Sequence, residues 1–301
     1  MAVLKTNVRS GGVGAKILRQ LVQFSWNLSP RITTNWTKPL FLHPQHFPLN
    51  EEQNQLLKDG HSFEIALPRS RKKISLQFWG TGPMVFLIHG WAGRGVQMDG
   101  LIRGLVDAGY QAVTWDKPGH GDSTGKTGNI FEFLLAAERV SEVIGTPQAI
   151  IAHSMGAISA LHLAKAEEIP LIFIAPVCQF KESVGLKAEW LGLPKYVIQG
   201  IFKRLEEQYG SNIDEVSLHQ AALGHQEPVL IFHDEGDRFA PYQGSEEMVK
   251  HLPQGKLVRT QNLGHARILQ DPDLIEHCLD FLQRETSATS TEGKGRAGAR
   301  G

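Results

Sequence analysis

Apolar residues recur along this chain with two alternating periods. Short runs rich in β-branched and aromatic residues stand at 62–67 (SFEIAL), 73–79, 84–88 (MVFLI), 111–115 (QAVTW), 148–152, 170–175 (PLIFIA), 228–233 and 256–260. From the third run onward they alternate with segments whose apolar residues lie three or four apart, at 96–108, 129–144, 155–166, 244–251 and 273–283. That spacing predicts amphipathic helices. MVFLI and LIFIA are apolar at every position, as parallel strands buried between two helix layers must be. The pattern therefore predicts an α/β fold: an eight-stranded, mostly parallel sheet with helices on both faces and an antiparallel pair at its start. The rhythm breaks once, over about fifty residues after the sixth strand. Residues 178–226 are expected to form a short, mainly helical cap, with Trp190, Leu191, Tyr196, Ile201 and Phe202 on its apolar side.

The two ends differ from this body. Ile17, Leu18, Leu21, Val22 and Phe24 fall along one side of a helix spanning 15–26. Residues 30–50 hold four prolines, which predicts an extended linker. Residues 285–301 lack any large apolar side chain and are expected to form a disordered tail. The expected organisation is a leader over 1–60, one domain over 61–284 and the tail. Charge follows the same division. The net formal charge is zero, yet residues 1–50 carry six basic residues and no acidic one, leaving the remaining 251 with a net of −6. Zero net charge gives no global attraction for nucleic acid, and none is expected as a partner. The basic leader helix leaves two readings open: packing on the domain behind it, or peripheral contact with a membrane through residues 1–30. No run is long and apolar enough to span a bilayer, and the apolar run near the start is too broken for a secretory signal. With only Cys178 and Cys278, neither a disulfide framework nor a thiolate zinc site is expected, and a cytoplasmic setting fits.

In open α/β sheets, ligands bind beyond the carboxyl ends of the strands. The fifth strand runs into Ala152-His153-Ser154-Met155-Gly156 and then into a helix, the context of a nucleophile elbow, with Ala152 where Gly is usual. A serine hydroxyl needs a base, and the base needs an acid to orient it. His233-Asp234-Glu235-Gly236-Asp237 follows the seventh strand, and Asn262-Leu263-Gly264-His265 follows the eighth, giving the chain order Ser, Asp, His. One competing motif nearly spells a phosphate-binding loop, His120-Gly121-Asp122-Ser123-Thr124-Gly125-Lys126-Thr127. Its first glycine is replaced by His120, and Gly128-Asn129 delays the helix that should begin at the lysine. The other histidines show no metal-ligand spacing, so no metal and no cofactor are expected.

Five blocks, with Ser154 as one of them, resemble the α/β-hydrolase fold serine hydrolases from about residue 62 to 283. The others are His89-Gly90-Trp91, the Asp116-Lys117-Pro118-Gly119-His120-Gly121-Asp122-Ser123 turn, the acid loop and the Gly264-His265 block. The resemblance implies that Ser154 attacks a carbonyl, His265 shuttles the proton and Asp237 holds the imidazole, with Asp234 as second choice for the acid. It further implies that the backbone N–H groups of Trp91 and Met155 receive the oxyanion, and that His89 and His120 shape their loops. His153 is expected to pack with its side chain away from the serine oxygen. A serine at the elbow points to a carboxylic ester or related acyl bond, in a small and apolar substrate contacted by Trp91, Trp190 and Tyr196. The alternative is a hydrolase-like receptor that binds a ligand with slow or no turnover.

Overall fold

A computed structural model describes residues 13–68, 70–167 and 169–297. Three helices lead, α1 (Val13–Leu28), α2 (Pro30–Leu42) and α3 (Glu51–Asp59). The hairpin β1 (His61–Ala66) and β2 (Lys73–Trp79) follows, then β3 (Met84–Ile88), α4 (Asp99–Asp107), β4 (Gln111–Trp115), α5 (Ile130–Ile144), β5 (Ala149–His153), α6 (Gly156–Glu167) and β6 (Leu171–Ile174). Three helices, α7 (Phe180–Trp190), α8 (Lys195–Tyr209) and α9 (Leu218–Ala222), form the cap before β7 (Val229–Asp234). The chain closes with α10 (Tyr242–Val249), β8 (Gly255–Thr260), the single turn α11 (Gly264–Arg267) and α12 (Pro272–Ala297).

The strands make one eight-stranded sheet in the order β1-β2-β4-β3-β5-β6-β7-β8, antiparallel at the β1–β2 and β2–β4 junctions and parallel elsewhere. Central strands feed both faces: Phe86 and Ile88 of β3 join the core under α5 and α6, whereas Val85 and Leu87 join the core under α4 and α12. This double burial explains why these runs lack any polar alternation.

The leader departs from expectation. Residues 30–42 are helix α2, not extended linker, and only the stretch from His43 to Asn50 runs without regular structure. Pro30 stands at the first helical position, where its missing N–H costs nothing, and Ser29 caps the end by accepting from the Ile32 amide. Pro39, inside the helix, removes a donor. Packing on the cap compensates: from α8, Gln208 accepts from Lys38 at 3.1 Å and Arg204 binds the Asn35 side chain, and from α7, Lys187 Nζ donates to the Phe41 carbonyl in the last turn of α2 at 2.6 Å. Short-range sequence signals hold no record of those distant partners. The expected disordered tail is likewise helical as far as Ala297. Leu274, Cys278 and Leu282 anchor the first turns of α12 in the core, and extending an existing helix costs far less than starting one. Among the described residues no helix is long and apolar enough to cross a membrane.

Candidate active site

Three loops at the carboxyl edge of the sheet converge on one point. The first is the turn from β5 to α6. Ser154 sits at its apex with φ +55°, a left-handed conformation that L-residues adopt at a cost, as an elbow requires. Its amide donates to Ile174 O on the neighbouring strand, and its carbonyl accepts from Ala157 N and Val177 N, which hold the strained turn. Gly156 has no room for a side chain, because a Cβ there would lie 2.3 Å from Ile88 O. Gly90 is equally confined, since its Cβ would meet Ser154 Cβ at 2.8 Å. Ala152 is fully buried, and its single methyl fits where the motif usually has glycine.

The second and third loops bring His265 and Asp237 to that apex. Ser154 Oγ stands 2.9 Å from His265 Nε2, and His265 Nδ1 stands 2.7 Å from Asp237 Oδ2. Because a carboxylate can only accept, the proton on this side of the ring belongs to Nδ1, leaving Nε2 as the acceptor for the serine hydroxyl. The Asp237 side chain is fully buried. Burial by itself would push its carboxyl up, but hydrogen bonds from His233 and His265, the His265 charge and the Ala240 amide together hold it well below the usual carboxylate range. Its Oδ1 also accepts from Phe239 N at 2.8 Å and Ala240 N at 3.0 Å. Asp234 is spent on architecture. It accepts from Gly236 N at 2.9 Å and Leu263 N at 2.8 Å, tying the acid loop to the turn that carries His265.

The loop after β3 is braced from behind. His89 Nε2 accepts from Lys117 N at 3.0 Å, so its proton sits on Nδ1, which donates to Gly90 O at 2.7 Å. Burial, then the nearby Lys117 ammonium, pushes the His89 pKa well down and keeps the ring neutral. Lys117 Nζ binds His89 O and, fully buried, has its pKa lowered to about 7. The Asp116 carboxylate closes the second turn by accepting from Gly95 N and Asp122 N. Gly121, with φ +47°, is required because a Cβ would strike that carboxylate. The segment resembling a phosphate loop is thereby accounted for, and the helix after it starts at Ile130 behind an Asn129 cap rather than at Lys126.

The structure corrects two of the expected side-chain placements. His153 does not turn away from the site. Its ring lies 4.8 Å from the His265 ring, and its Nε2 donates to the His265 backbone carbonyl at 2.9 Å. Burial, then the His265 charge, pushes its pKa down to about 3, so it braces as a neutral ring. Tyr196 does not line the site either: its hydroxyl donates to Gln23 at 2.7 Å and its ring packs on Trp26 at 4.6 Å, fastening the leader to the cap. Trp190 ends α7, and its side chain lies outside the described residues. Trp91, the remaining member of that trio, is at the site, edge-on to His120 at 5.2 Å.

Two neighbours of the site are given no role by the sequence. His233 sits in β7 with Nε2 donating to Ala240 O at 2.9 Å and lying 3.5 Å from Asp237 Oδ2, while Ser245 Oγ donates to its Nδ1 at 2.7 Å. A polar residue near the end of a fully buried strand was the available signal. Lys187, on cap helix α7, lays its ammonium 3.7 Å from the Trp91 ring centre, and burial lowers its pKa to about 7. Nothing in the local sequence marks that residue.

Comparisons with known proteins bear on the fold. A family model described as "Serine aminopeptidase, S33" matches residues 82–225, and one described as "TAP-like protein" matches 211–289. The non-heme chloroperoxidase CPO-A1 of Kitasatospora aureofaciens is 31% identical over 31% of this chain and 34% of its own length. A pimeloyl-[acyl-carrier protein] methyl ester esterase of Aeromonas salmonicida is 26% identical over 49% of this chain and 58% of its own. The chain thus spans between a third and three fifths of those two relatives. The Nitrosomonas europaea esterase of the same name is 22% identical over 69% of this chain and 99% of its own. Among solved structures, Est1E from Butyrivibrio proteoclasticus with bound ferulic acid superposes with a TM-score of 0.60 at 20% identity, covering 75% of this chain and 99% of that one. A Pyrococcus furiosus esterase gives 0.61 at 18% identity, covering 80% and 98%. Sheet order, elbow and both family models lead to one conclusion: the chain is an α/β-hydrolase-fold protein.

Proposed function

We propose that this protein is a serine hydrolase that cleaves a carboxylic ester of a small, largely apolar acyl substrate. The observation that carries the reading is the unbroken relay from Ser154 Oγ to His265 to Asp237, at 2.9 and 2.7 Å. Ser154 Oγ attacks the ester carbonyl while its proton passes to His265 Nε2. The Asp237 carboxylate stabilises the imidazolium so formed. The tetrahedral oxyanion is received by the Trp91 and Met155 amides, donors worth about 3 kcal/mol each in sites of this kind. His265 then protonates the departing alkoxide as the C–O bond breaks, leaving an acyl group on Ser154. A water deprotonated by His265 attacks that acyl group and releases the acid, restoring the serine.

The esterases among its relatives and structural neighbours support this choice of bond. Labelling with a fluorophosphonate probe tests it: the wild type is expected to label and Ser154→Ala to remain unlabelled. A panel of aryl esters of short and longer acyl chains then reads out hydrolysis that Ser154→Ala abolishes. Absence of labelling in the folded wild type would overturn the reading in favour of a ligand-binding role.

A further inference from the structure

The leader helix has two apolar sides, and only one is used. Leu18, Val22 and Trp26 turn inward against the core, Val22 being completely buried. Ile17, Leu21, Phe24 and Leu28, at steps of four, three and four, form a second stripe that faces outward, with Phe24 68% and Leu28 71% exposed. Ile32 and Leu40 on α2 are exposed as well. Six of the twelve large apolar side chains exposed among the described residues thus fall between positions 17 and 40. Scattered exposed leucines need no explanation, but such a concentration marks a contact surface.

Charge decides among occupants. The chain has no acidic residue before Glu51, and Lys16, Arg19 and Arg31 stand exposed on the same two helices. A second copy docked stripe to stripe would bring like charges together. A negatively charged lipid surface meets both demands, because an interfacial helix sinks its apolar side to the level of the acyl chains and leaves its cations among the headgroups. No described helix is long and apolar enough to span, so α1 would lie on the bilayer rather than cross it. We propose that the outward stripe of α1, with its flanking cations, is a docking surface for anionic lipid bilayers.

The helix pair is bound to the cap, not loosely tethered. Trp26 packs on Tyr196 and faces Gly200 of α8, and Lys187 of α7 grips the end of α2. Docking through α1 therefore places the cap side of the molecule towards the lipid. This inference is independent of the hydrolytic reading, since it needs neither Ser154 nor turnover.

Flotation of the full-length protein with vesicles tests it, using phosphatidylcholine alone and phosphatidylcholine with about a third phosphatidylglycerol. The Lys16 and Arg19 cations beside the α1 stripe are expected to raise partitioning onto the anionic vesicles roughly 10- to 100-fold. The double variant Leu21→Gln/Phe24→Gln should lose at least about tenfold of that binding. Lys16→Glu/Arg19→Glu should erase the preference for anionic lipid. Circular dichroism and thermal unfolding of these surface variants are expected to match the wild type, which separates lost docking from lost folding. The proposal fails if the wild type ignores both vesicles or if the stripe variants bind as well as it does. It also fails if the stripe variants change only the mass in sedimentation velocity, which would assign the surface to a second copy. Binding of an acidic carrier protein without vesicle binding would overturn it equally.

Discussion

The acid loop after β7 and the leader helix α1 make opposite use of their surroundings. In the acid loop nearly every polar group has a partner within a few residues or on the adjoining turn. Asp237 alone is fixed by two backbone amides, His265 and His233. In α1 half of the apolar side is packed and the other half meets solvent. The first arrangement fixes Ser154, His265 and Asp237 in a chain of hydrogen-bond distances, the kind of positioning that catalysis by orientation demands. The second leaves a large interaction free energy unused within the molecule. That contrast separates a loop tied down on every side from a helix whose outward side meets solvent.

Substitutions can break each side of the comparison. The largest effect is expected at the nucleophile: Ser154→Ala should lower kcat by about 10⁶-fold with little change in thermal unfolding, measured on an aryl ester. Asp237→Asn keeps the shape but misplaces the Nδ1 proton, and should cost about 10⁴-fold in kcat. The same variant carries a pH signature. The Asp237 pKa is depressed in the fold, so its contribution to stability is present above the ordinary aspartate value and disappears as pH falls through the folded one. Thermal unfolding in acid should therefore fall less steeply for Asp237→Asn than for the wild type. A smaller loss, about 10- to 100-fold in kcat with KM held, is expected for His153→Phe, which keeps a ring against His265 but loses the donor to its carbonyl.

The two sides of α1 sharpen the contrast at the scale of stability. Val22→Ala should destabilise by about 1–3 kcal/mol because it opens a cavity in the core. Leu21→Ala, one residue away, should stay within about 0.5 kcal/mol. Chemical denaturation of the two variants side by side checks both values. Equal losses would mean that the outward stripe is packed in solution.

The strands and the loops at their carboxyl ends were legible because their signals are local. Each strand run precedes its own loop, and the observed strands lie within a residue of the expected ones. Of the two acid-loop carboxylates, Asp237 reaches His265, and Asp234 is taken up by the Gly236 and Leu263 amides. What escaped the sequence depends on distant partners. Helix α2 survives its prolines through Arg204, Gln208 and Lys187, all more than a hundred residues away. Tyr196 looks like a pocket aromatic until Trp26 and Gln23 claim it.

The sequence by itself determined the alternation of strands and helices, the Ser154 turn, and the order of Ser154, Asp237 and His265 along the strand ends, because each is written in a handful of contiguous residues. The tertiary structure decided which side of α1 is buried, that His153 packs on His265 and His233 on Asp237, and that Lys187 joins leader, cap and the Trp91 loop. Those outcomes arise where separate segments meet, and close packing of such meetings is a property of the folded whole rather than of any single stretch.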